Sequence, residues 1–575
     1  MTENSLSYLT RRDYALLAAF CFALFSFCAL FAKTLTGHES VVAQNSREML
    51  AGGDWIVPRV GGEPWLERPP ASAWFICAVY AVAGTSTSDA VARLAAVLIA
   101  VPLVLLVART GALFYGRNAG LAAGGIFATM HEFYGYASNP EADIFLCLIV
   151  TATVAAFAQL EFGPRASRVN ESGSFFGSRP LLVLAFFALL GATNLAKGVI
   201  FGTVMAGLPI AGYLLWNRSW GQLKRYVWLW GWLAAAGVAL AWPIAVISRH
   251  PEIIDLWRDH YLNRLNKGYL QEPWWYYAVN VPFVLLPWTL PALVGLWQTR
   301  RAAFAGPGPE RFLWCWAILP PLVFSASDGK HHHYLLQCMA PWAILSVGGA
   351  VAMWSFARDR MPGWVRNPWA WAGLVGCVAV WAAMKYRGAV GAPEWLLVSL
   401  AVSLPLLTFA FVRFANHTSQ RAALVGVLLV FAVAYSEWTY LRAATRDAYA
   451  PDTAMLHRTP EFVPSDAPIY VQYDWLRPLE TFWVLYHTPQ PGTLVRDPWD
   501  LKEKSGGRAS AFILARRQDA EQFAVIGSVE PLLESEKTRL EPHAGYRRTL
   551  YRVTFHATAP PAPPEVLAES RRTLW

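Results

Sequence analysis

Ionisable residues collect at a few points of this chain, each directly beside a long apolar run. His38 and Glu39 follow the first apolar run, Glu141 and Asp143 open the fourth within NPEADIFL, and Lys197 lies in NLAKG. Two more polar segments, RDHYLNRLNKGY and SDGKHHHY, precede later apolar runs. Carboxylates can accept protons or stabilise developing positive charge, and cations can hold a phosphate. The combination suits a reaction on a lipid substrate that carries a phosphate group.

The elements that position these residues are those of a polytopic α-helical membrane protein. Of the 575 residues 55% are hydrophobic and 15% are charged, and charge-free stretches of about twenty residues, enough to cross hydrocarbon as a helix, recur along the chain. Most of the net charge of +9 lies in short loops, where it sets topology, so no nucleic-acid partner is predicted. The centres of the apolar stretches hold almost no charged side chains, which argues against ion-driven transport.

Thirteen membrane spans are predicted, which puts the two termini on opposite sides of the membrane. One set of loops is short and basic, so it is cytoplasmic together with the N-terminus. The other set faces outward and carries the acids, the histidines and most of the loop length. The predicted spans are 14–35, 90–108, 119–136, 143–160, 181–196, 199–216, 227–248, 277–297, 312–326, 335–355, 367–384, 395–412 and 421–437.

The first outward loop, residues 36–89, and the C-terminal region hold further structure. The apolar but short and Pro-led segment RPPASAWFICAVYAVAG (68–84) is predicted to be a helix in the outer interface. After residue 438, APIYVQY, TFWVLYH, GTLVRD, SAFILARR and RTLYRVTF are short β-rich runs between polar stretches. We therefore expect a membrane domain (1–437) that includes loop 36–89 with juxtamembrane helices, an outer α/β domain (438–560), and a tail (561–575).

The first outward loop also carries a family resemblance. NSREMLAGGDWIVPRVGGEPWLERPPASAWF closely resembles the corresponding loop of the GT-C glycosyltransferases, in particular the bacterial transferases that put 4-amino-4-deoxy-L-arabinose on lipid A. These are related to the protein O-mannosyltransferases. Similar segments follow in the family's order, among them NPEADIFL, NLAKG, EPWWYYAVNVPFVLLPWTLPAL and DGKHHHYLLQCMAPWAIL, so that most of residues 10–355 is covered. The resemblance implies a GT-C fold with about thirteen transmembrane helices and a C-terminal periplasmic α/β domain.

The resemblance implies an inner-membrane enzyme that moves a sugar, with aminoarabinose as a candidate, from a polyprenyl (undecaprenyl) phosphate donor. The acceptor would be lipid A or another envelope molecule at the periplasmic face. In the family an acidic pair, usually Asp-Glu, follows the first helix, and here it aligns with His38 and Glu39. The Arg-Tyr that usually follows the pair is replaced by Val41 and Val42. The family's Asp is the member of the pair that is thought to be essential, and it falls on His38, so we expect either His38 to act as base, because imidazole titrates near neutral pH, or Glu39 to take over the role. The predicted catalytic residues are Glu39, Asp143 and His38.

The remaining candidate residues are carried over from matching positions. Asp143 matches the family's second acidic position, at a helix N-terminus that favours a carboxylate. Glu67 and Arg68 match the Glu-Lys that precedes a Pro pair, and a guanidinium can hold phosphate with two hydrogen bonds. The predicted donor-phosphate ligands are Arg68, Lys197, Arg264 and Lys330, and the predicted cleft residues are Glu67, Glu141, Tyr261, Tyr269, His331, His333 and Tyr334.

Each of these residues also has a structural interpretation. Glu39 could pair with Arg47 or Arg68, Asp143 could cap its helix, and Lys197 could anchor at the interface. Adjacent His331, His332 and His333 cannot all face one point, so a three-histidine metal site is not predicted. Carboxylates at a phosphate site leave a divalent metal open without requiring one. Two other functions stay open: a non-catalytic lipid-phosphate-binding member of an envelope glycan complex, and a lipid-linked sugar flippase.

Overall fold

The chain forms two compact units that interleave along the sequence. A computed structural model describes residues 8–163, 180–198, 200–218, 220–258, 271–386, 394–446, 450–475, 477–536, 548–557 and 561. The first unit takes residues 1–32 and 96–445, and the second takes 33–95 and 446–575. This division differs from the one expected from the sequence, because the first outward loop groups with the C-terminal region and the helix Gln420–Arg446 continues past residue 438. Residues 562–575 of the predicted tail lie outside the described ranges.

Helices make up the first unit, and every predicted span coincides with one or two of them. Eight described helices are long and apolar enough to cross a membrane, or nine if the bent pair Tyr276–Val284 and Thr289–Ala305 is one span. The polytopic helical class is therefore confirmed, and the number thirteen stays a prediction. The described helices with bounds inside this unit are Arg11–Phe31, Arg117–Ala128, His131–Tyr136, Ala142–Phe162, Pro180–Ala192, Asn194–Lys197, Phe201–Trp216, Trp220–Tyr226, Leu229–Ile247, Tyr276–Val284, Thr289–Ala305, Pro309–Phe324, Met339–Arg360, Pro368–Tyr386 and Glu394–Ala415, with a 3₁₀ helix at His332–Cys338.

Small residues let two of these helices pack closely. A Cβ atom on Gly349 of Met339–Arg360 would overlap the backbone oxygen of Pro291, and one on Gly295 of Thr289–Ala305 would overlap that of Leu345. Glycine-mediated backbone approach of this kind is the usual basis of tight helix packing in membranes. The contact holds the helix that follows the 3₁₀ segment in a fixed position.

The second unit combines the first outward loop with a C-terminal α/β region whose sheet contains both parallel and antiparallel strands. Its sheet has the strand order β4-β3-β5-β7-β6, with β3 parallel to β4 and β5, and β7 antiparallel to β5 and β6. The strands are β3 (Ile469–Gln472), β4 (Gly492–Val495), β5 (Ser510–Arg516), β6 (Gly527–Glu534) and β7 (Arg548–Phe555). The loop contributes helices Gly37–Gly52 and Ala71–Ala83 and a hairpin of β1 (Arg59–Val60) and β2 (Glu63–Pro64), and the C-terminal region adds helices Ala450–His457, Pro478–His487 and Pro498–Lys504 with 3₁₀ turns at Thr459–Glu461 and Arg517–Val525. The helix Asp89–Tyr115 begins in this unit.

One of the predicted β-rich runs is wrong. TFWVLYH lies in the helix Pro478–His487, and all seven of its residues are buried. A short segment that is buried on every side shows no periodicity, so its composition cannot separate a helix from a strand. Pro478 at the first turn favours the helix because the missing N–H is not needed there. The edge strand β6 was not predicted, because GSVEPLLE contains a proline and two acids.

Two neighbouring side chains of the first loop fix it within this unit. The Arg47 guanidinium donates to the carbonyl oxygens of Tyr486, Thr488 and Pro489 at 2.8–3.3 Å, at the end of the helix Pro478–His487. The Glu48 carboxylate accepts from the backbone N–H groups of Gly61 and Gly62 in the β1–β2 turn, at 2.6 and 3.0 Å. Burial raises the pKa of the Glu48 carboxyl and lowers the pKa of Arg47. These polar contacts tie the loop to the C-terminal residues of the same compact unit.

A buried ionic network joins the elements of the C-terminal region. Glu480 accepts from Arg516 at 2.5 Å and from Arg548 at 3.0 Å. Arg516 also pairs with Asp474 at 3.0 Å, and Arg548 pairs with Asp452 at 3.7 Å. Burial lowers the pKa of Arg548 and raises the pKa of the Asp452 carboxyl. Two buried arginine side chains, Arg516 and Arg548, therefore share Glu480 as an ion-pair partner.

Candidate active site

An ion pair between Asp143 and Lys197 is the centre of the candidate site in the first unit. The Lys197 Nζ lies 2.5 Å from Asp143 Oδ1, and the two side chains are only 8% and 2% exposed. Asp143 is the second residue of the helix Ala142–Phe162, where a carboxylate is stabilised by the positive end of the helix dipole. Two opposite charges held this close in a desolvated place can hold an anion and stabilise charge that develops beside it.

The turn that carries Lys197 is held by an amide side chain that the sequence did not single out. Asn194 is 5% exposed, accepts from the backbone N–H of Ile200 at 2.6 Å and donates to Thr203 at 2.9 Å. These bonds join the short helix Asn194–Lys197 to the start of Phe201–Trp216. Ile200 has φ 80°, a conformation that a β-branched residue adopts only under constraint. This strained residue lies three positions from Lys197. Strained backbone conformations cluster at functional sites, so the strain is a second sign that Lys197 has a function.

Aromatic rings and a histidine surround the ammonium group. The Lys197 Nζ lies 4.7 Å from the Tyr334 ring centroid and 5.7 Å from that of Phe201, distances at which the ring faces attract a cation. The His333 Nε2 lies 3.9 Å from Asp143 Oδ1, and the His333 ring stacks on that of His331 at 5.0 Å. The structure thus brings together the predicted catalytic Asp143, the predicted phosphate ligand Lys197 and three of the predicted cleft residues, His331, His333 and Tyr334.

A second carboxylate and histidine, neither of them among the predicted site residues, lie next to this cluster. His332 Nδ1 is 2.7 Å from the Glu132 Oε1, and the two residues lie 200 positions apart in the sequence. Glu132 was included in a predicted membrane span, where a charged side chain is a signal of a specific partner or function. His332 belonged to the run of three histidines, only two of which were assigned to the cleft.

Glu39, the main catalytic candidate from the resemblance, has two structural partners in the second unit. Its carboxylate pairs with Arg93 at 3.2 and 3.4 Å, and both side chains are almost fully buried. It also accepts from the Thr36 backbone N–H at 2.7 Å and completes a capping box for the helix Gly37–Gly52. Neither Arg47 nor Arg68 is the partner, and Arg93 was not anticipated. The neighbouring His38 is exposed.

The other predicted residues are distributed over both units. In the second unit Arg68 Nε lies 3.5 Å from Glu67 Oε1, and both side chains are half-buried. In the first unit Lys330 is buried and donates to the backbone oxygen of Glu272 at 2.8 Å, while Glu141 is the N-cap of the helix Ala142–Phe162. Tyr261, Arg264 and Tyr269 lie outside the described residues.

A metal centre has no preformed ligand set in the parts of the chain that the structure describes. Within these ranges no group of three or more His, Cys, Asp or Glu side chains is arranged to hold an ion. The ionisable groups of the candidate site are engaged instead in carboxylate–cation and carboxylate–histidine pairs.

Sequence comparisons show that part of the chain is similar to lipid-linked sugar transferases. The family model for dolichyl-phosphate-mannose-protein mannosyltransferase matches residues 34–256. An undecaprenyl phosphate-α-4-amino-4-deoxy-L-arabinose arabinosyl transferase of Pseudomonas aeruginosa PAO1 is 32% identical over 351 residues, which is 59% of each chain. The enzyme of the same name from Aeromonas salmonicida is 31% identical over 331 residues, 56% of this chain and 57% of the relative. The chain thus spans less than two thirds of the length of these relatives.

Solved structures extend the similarity to nearly the whole chain. ArnT from Cupriavidus metallidurans, crystallised with undecaprenyl phosphate, covers 96% of this chain and is itself covered completely, with a TM-score of 0.72 and 18% identity. The oligosaccharyltransferase of Archaeoglobus fulgidus in its apo form covers 92% of this chain and is 74% covered, with a TM-score of 0.50 and 10% identity. The resemblance stated from the first outward loop is confirmed, and the chain is a multi-pass membrane protein with the GT-C fold.

Proposed function

We propose that this protein is an inner-membrane glycosyltransferase that uses a polyprenyl phosphate sugar as donor. The donor is an undecaprenyl phosphate sugar, with aminoarabinose as the first candidate, and the acceptor is lipid A or another envelope molecule at the periplasmic face. The N-terminus is cytoplasmic, and the C-terminal domain that follows the helix Gln420–Arg446 is periplasmic. The observation that carries the proposal is the buried Asp143–Lys197 pair under an aromatic cover, together with the similarity to transferases of this donor class.

The pair has a specific task in this reaction. When the bond between the sugar and the phosphate breaks, negative charge grows on the phosphate oxygen and positive charge grows at the anomeric carbon. Lys197 binds and stabilises the phosphate, with Arg264 and Lys330 as further candidate ligands. Asp143 holds the ammonium group in position and stabilises the anomeric carbon. Glu141, Tyr261, Tyr269 and Tyr334 stay candidates for the acceptor side of the cleft, and Glu39, His38, Glu67 and Arg68 stay candidates from the sequence alone.

The test is transfer of label from a radiolabelled undecaprenyl phosphate sugar to extracted outer-membrane lipids. Asp143→Asn should lower transfer by about 10²–10³-fold, the scale of losing one preorganised electrostatic group. Glu161→Gln is the matched control, because Glu161 is a buried carboxylate of the same helix that pairs with Arg225 at 3.2 Å near the other end. Equal loss in both variants would indicate damage to the helix and would contradict the proposal.

A second candidate function is a non-catalytic protein that binds the lipid phosphate within an envelope glycan complex. The observation that favours it is the commitment of Glu39 to Arg93 and to its own helix cap, beside an exposed His38. This protein would retain the labelled donor and release no polyprenyl phosphate with any acceptor. Movement of donor across vesicles without a new glycosidic bond would indicate a flippase instead.

A further inference from the structure

The pair of Glu132 and His332 has the geometry of a histidine oriented by a carboxylate. Glu132 lies on the short helix His131–Tyr136 and His332 opens the 3₁₀ helix His332–Cys338. His332 Nδ1 lies 2.7 Å from Glu132 Oε1. The carboxylate side chain is 9% exposed and the imidazole is 52% exposed. The Glu132 carboxylate is thus almost buried, whereas the His332 ring is about half exposed.

The contact determines which ring nitrogen can react. A carboxylate accepts, so Nδ1 donates its hydrogen to Glu132, and in the neutral ring Nε2 then carries the lone pair. Among the described residues, Nε2 has no hydrogen-bond partner. A carboxylate on Nδ1 also stabilises the imidazolium that forms when Nε2 takes up a proton. This is the arrangement that makes a histidine an efficient general base.

The pair lies beside the Asp143–Lys197 centre. The His332 ring is 5.7 Å from that of His333, and His333 Nε2 is 3.9 Å from the Asp143 carboxylate. Tyr136, on the same short helix as Glu132, lies 5.9 Å from the His333 ring. If Lys197 binds the charged group of a substrate, the His333 ring therefore lies between that group and His332.

The carboxylates expected to act as base are committed elsewhere. Asp143 is paired with Lys197 in the first unit, and in the second unit Glu39 is paired with Arg93 and caps its helix. His332 offers what these two groups lack, which is an open basic atom with a stabilising partner behind it.

We propose that His332 Nε2 accepts the proton of the acceptor and that Glu132 is its positioning residue. This inference rests on the transferase function proposed above. The acceptor oxygen forms a bond to the anomeric carbon, the bond from that carbon to the phosphate oxygen breaks, and its electron pair stays on the polyprenyl phosphate. The acceptor's proton moves to Nε2 and later to water. The acceptor class is a hydroxyl group, because an ionised phosphate has no proton that must be removed.

Two substitutions test the pair against a matched control. His332→Gln should lower kcat by about 10²–10⁴-fold, the usual contribution of a general base. Binding of undecaprenyl phosphate and the KM for the acceptor should change less than about threefold, because neither depends on the proton transfer. Glu132→Gln should give a smaller loss that is also confined to kcat. His250→Gln is the control, because His250 also pairs with a glutamate, Glu252, at 3.1 Å.

Chemical rescue separates a base from a structural clamp. His332→Ala in the full-length protein should recover transfer when imidazole is added, and the recovery should saturate with imidazole concentration. An unchanged kcat in His332→Gln, or a loss in His332→Ala that imidazole does not restore, would overturn this inference while the wild-type protein still transfers sugar. A wild-type protein that consumes no donor would overturn the proposed function, and with it this inference.

Discussion

Substitution of Glu39 separates a structural role from a catalytic one. Glu39→Gln keeps a capping-box residue, because glutamine also serves at the third position of the helix. It removes the charge opposite Arg93, whose side chain is 4% exposed and whose guanidinium lies 3.2–3.4 Å from the carboxylate. Removing one member of a buried ion pair costs up to about 3–5 kcal/mol, and the Asp89 carboxylate, which also interacts with Arg93, offsets part of that cost. If the 193 residues of the second unit, 63 from 33–95 and 130 from 446–575, unfold together, Tm falls by on the order of 10 °C.

The double variant Glu39→Gln with Arg93→Met provides the decisive comparison. Replacing both members of a buried ion pair by uncharged groups of similar volume is often close to neutral, so the double variant should recover most of the lost stability. Tm in detergent and sugar transfer per folded molecule are measured for the wild type, both single variants and the double variant. Recovery of both quantities supports a structural Glu39. Recovery of Tm without transfer would refute this reasoning and return Glu39 to the chemistry.

Three further predictions concern packing and charge away from the site. Glu480→Gln should lower the free energy of unfolding by about 3–5 kcal/mol because it leaves two buried arginines undercompensated, whereas Glu461→Gln breaks an exposed pair worth less than about 1 kcal/mol; equal Tm values would contradict this. Because burial raises the folded-state pKa of Asp452, its contribution to stability is fully present below the unfolded pKa and is lost as pH rises through the folded pKa; the Tm of the wild type should therefore fall relative to Asp452→Asn between pH 4 and pH 7, and a constant difference would count against it. Gly349→Ala should lower Tm and Gly348→Ala, whose Cβ would meet only a side-chain oxygen at 3.6 Å, should not.

The membrane helices and the first outward loop could be predicted because their signals are local. Twenty apolar residues must become a helix in hydrocarbon, since only a helix satisfies its own backbone there. The bounds were less secure, because the span predicted at 312–326 is the helix Pro309–Phe324, which begins inside the run GPGPE. The β-strand prediction for TFWVLYH was wrong for the opposite reason. It is buried on all sides, so its sequence contains no periodicity that distinguishes a helix from a strand.

The sequence points to the residue types of the candidate site, but it does not show which charged residues pair with each other. Glu39 and Arg93 are 54 positions apart, as are Asp143 and Lys197, and nothing in a single sequence states which cation belongs to which carboxylate. Asp143 and Lys197 were both assigned to the site, yet their direct contact is a result of the tertiary fold. Glu39 was assigned to catalysis because its surroundings resemble those of a family, and the packing that surrounds it with Arg93 and a helix cap was invisible at that level.

The histidine at position 38 and the Glu132–His332 pair both bear on which group takes the proton of the acceptor. Transferases whose first loop resembles this one usually carry an Asp where this chain has His38, and here that histidine is exposed. A chain without that acid either needs no base, because its acceptor is already an anion, or obtains one elsewhere. The pair at Glu132 and His332 meets the second requirement, with an open nitrogen next to the cluster that would hold the donor. Comparing a hydroxyl acceptor with a phosphate acceptor in His332→Gln distinguishes the two cases, because only the first reaction should slow.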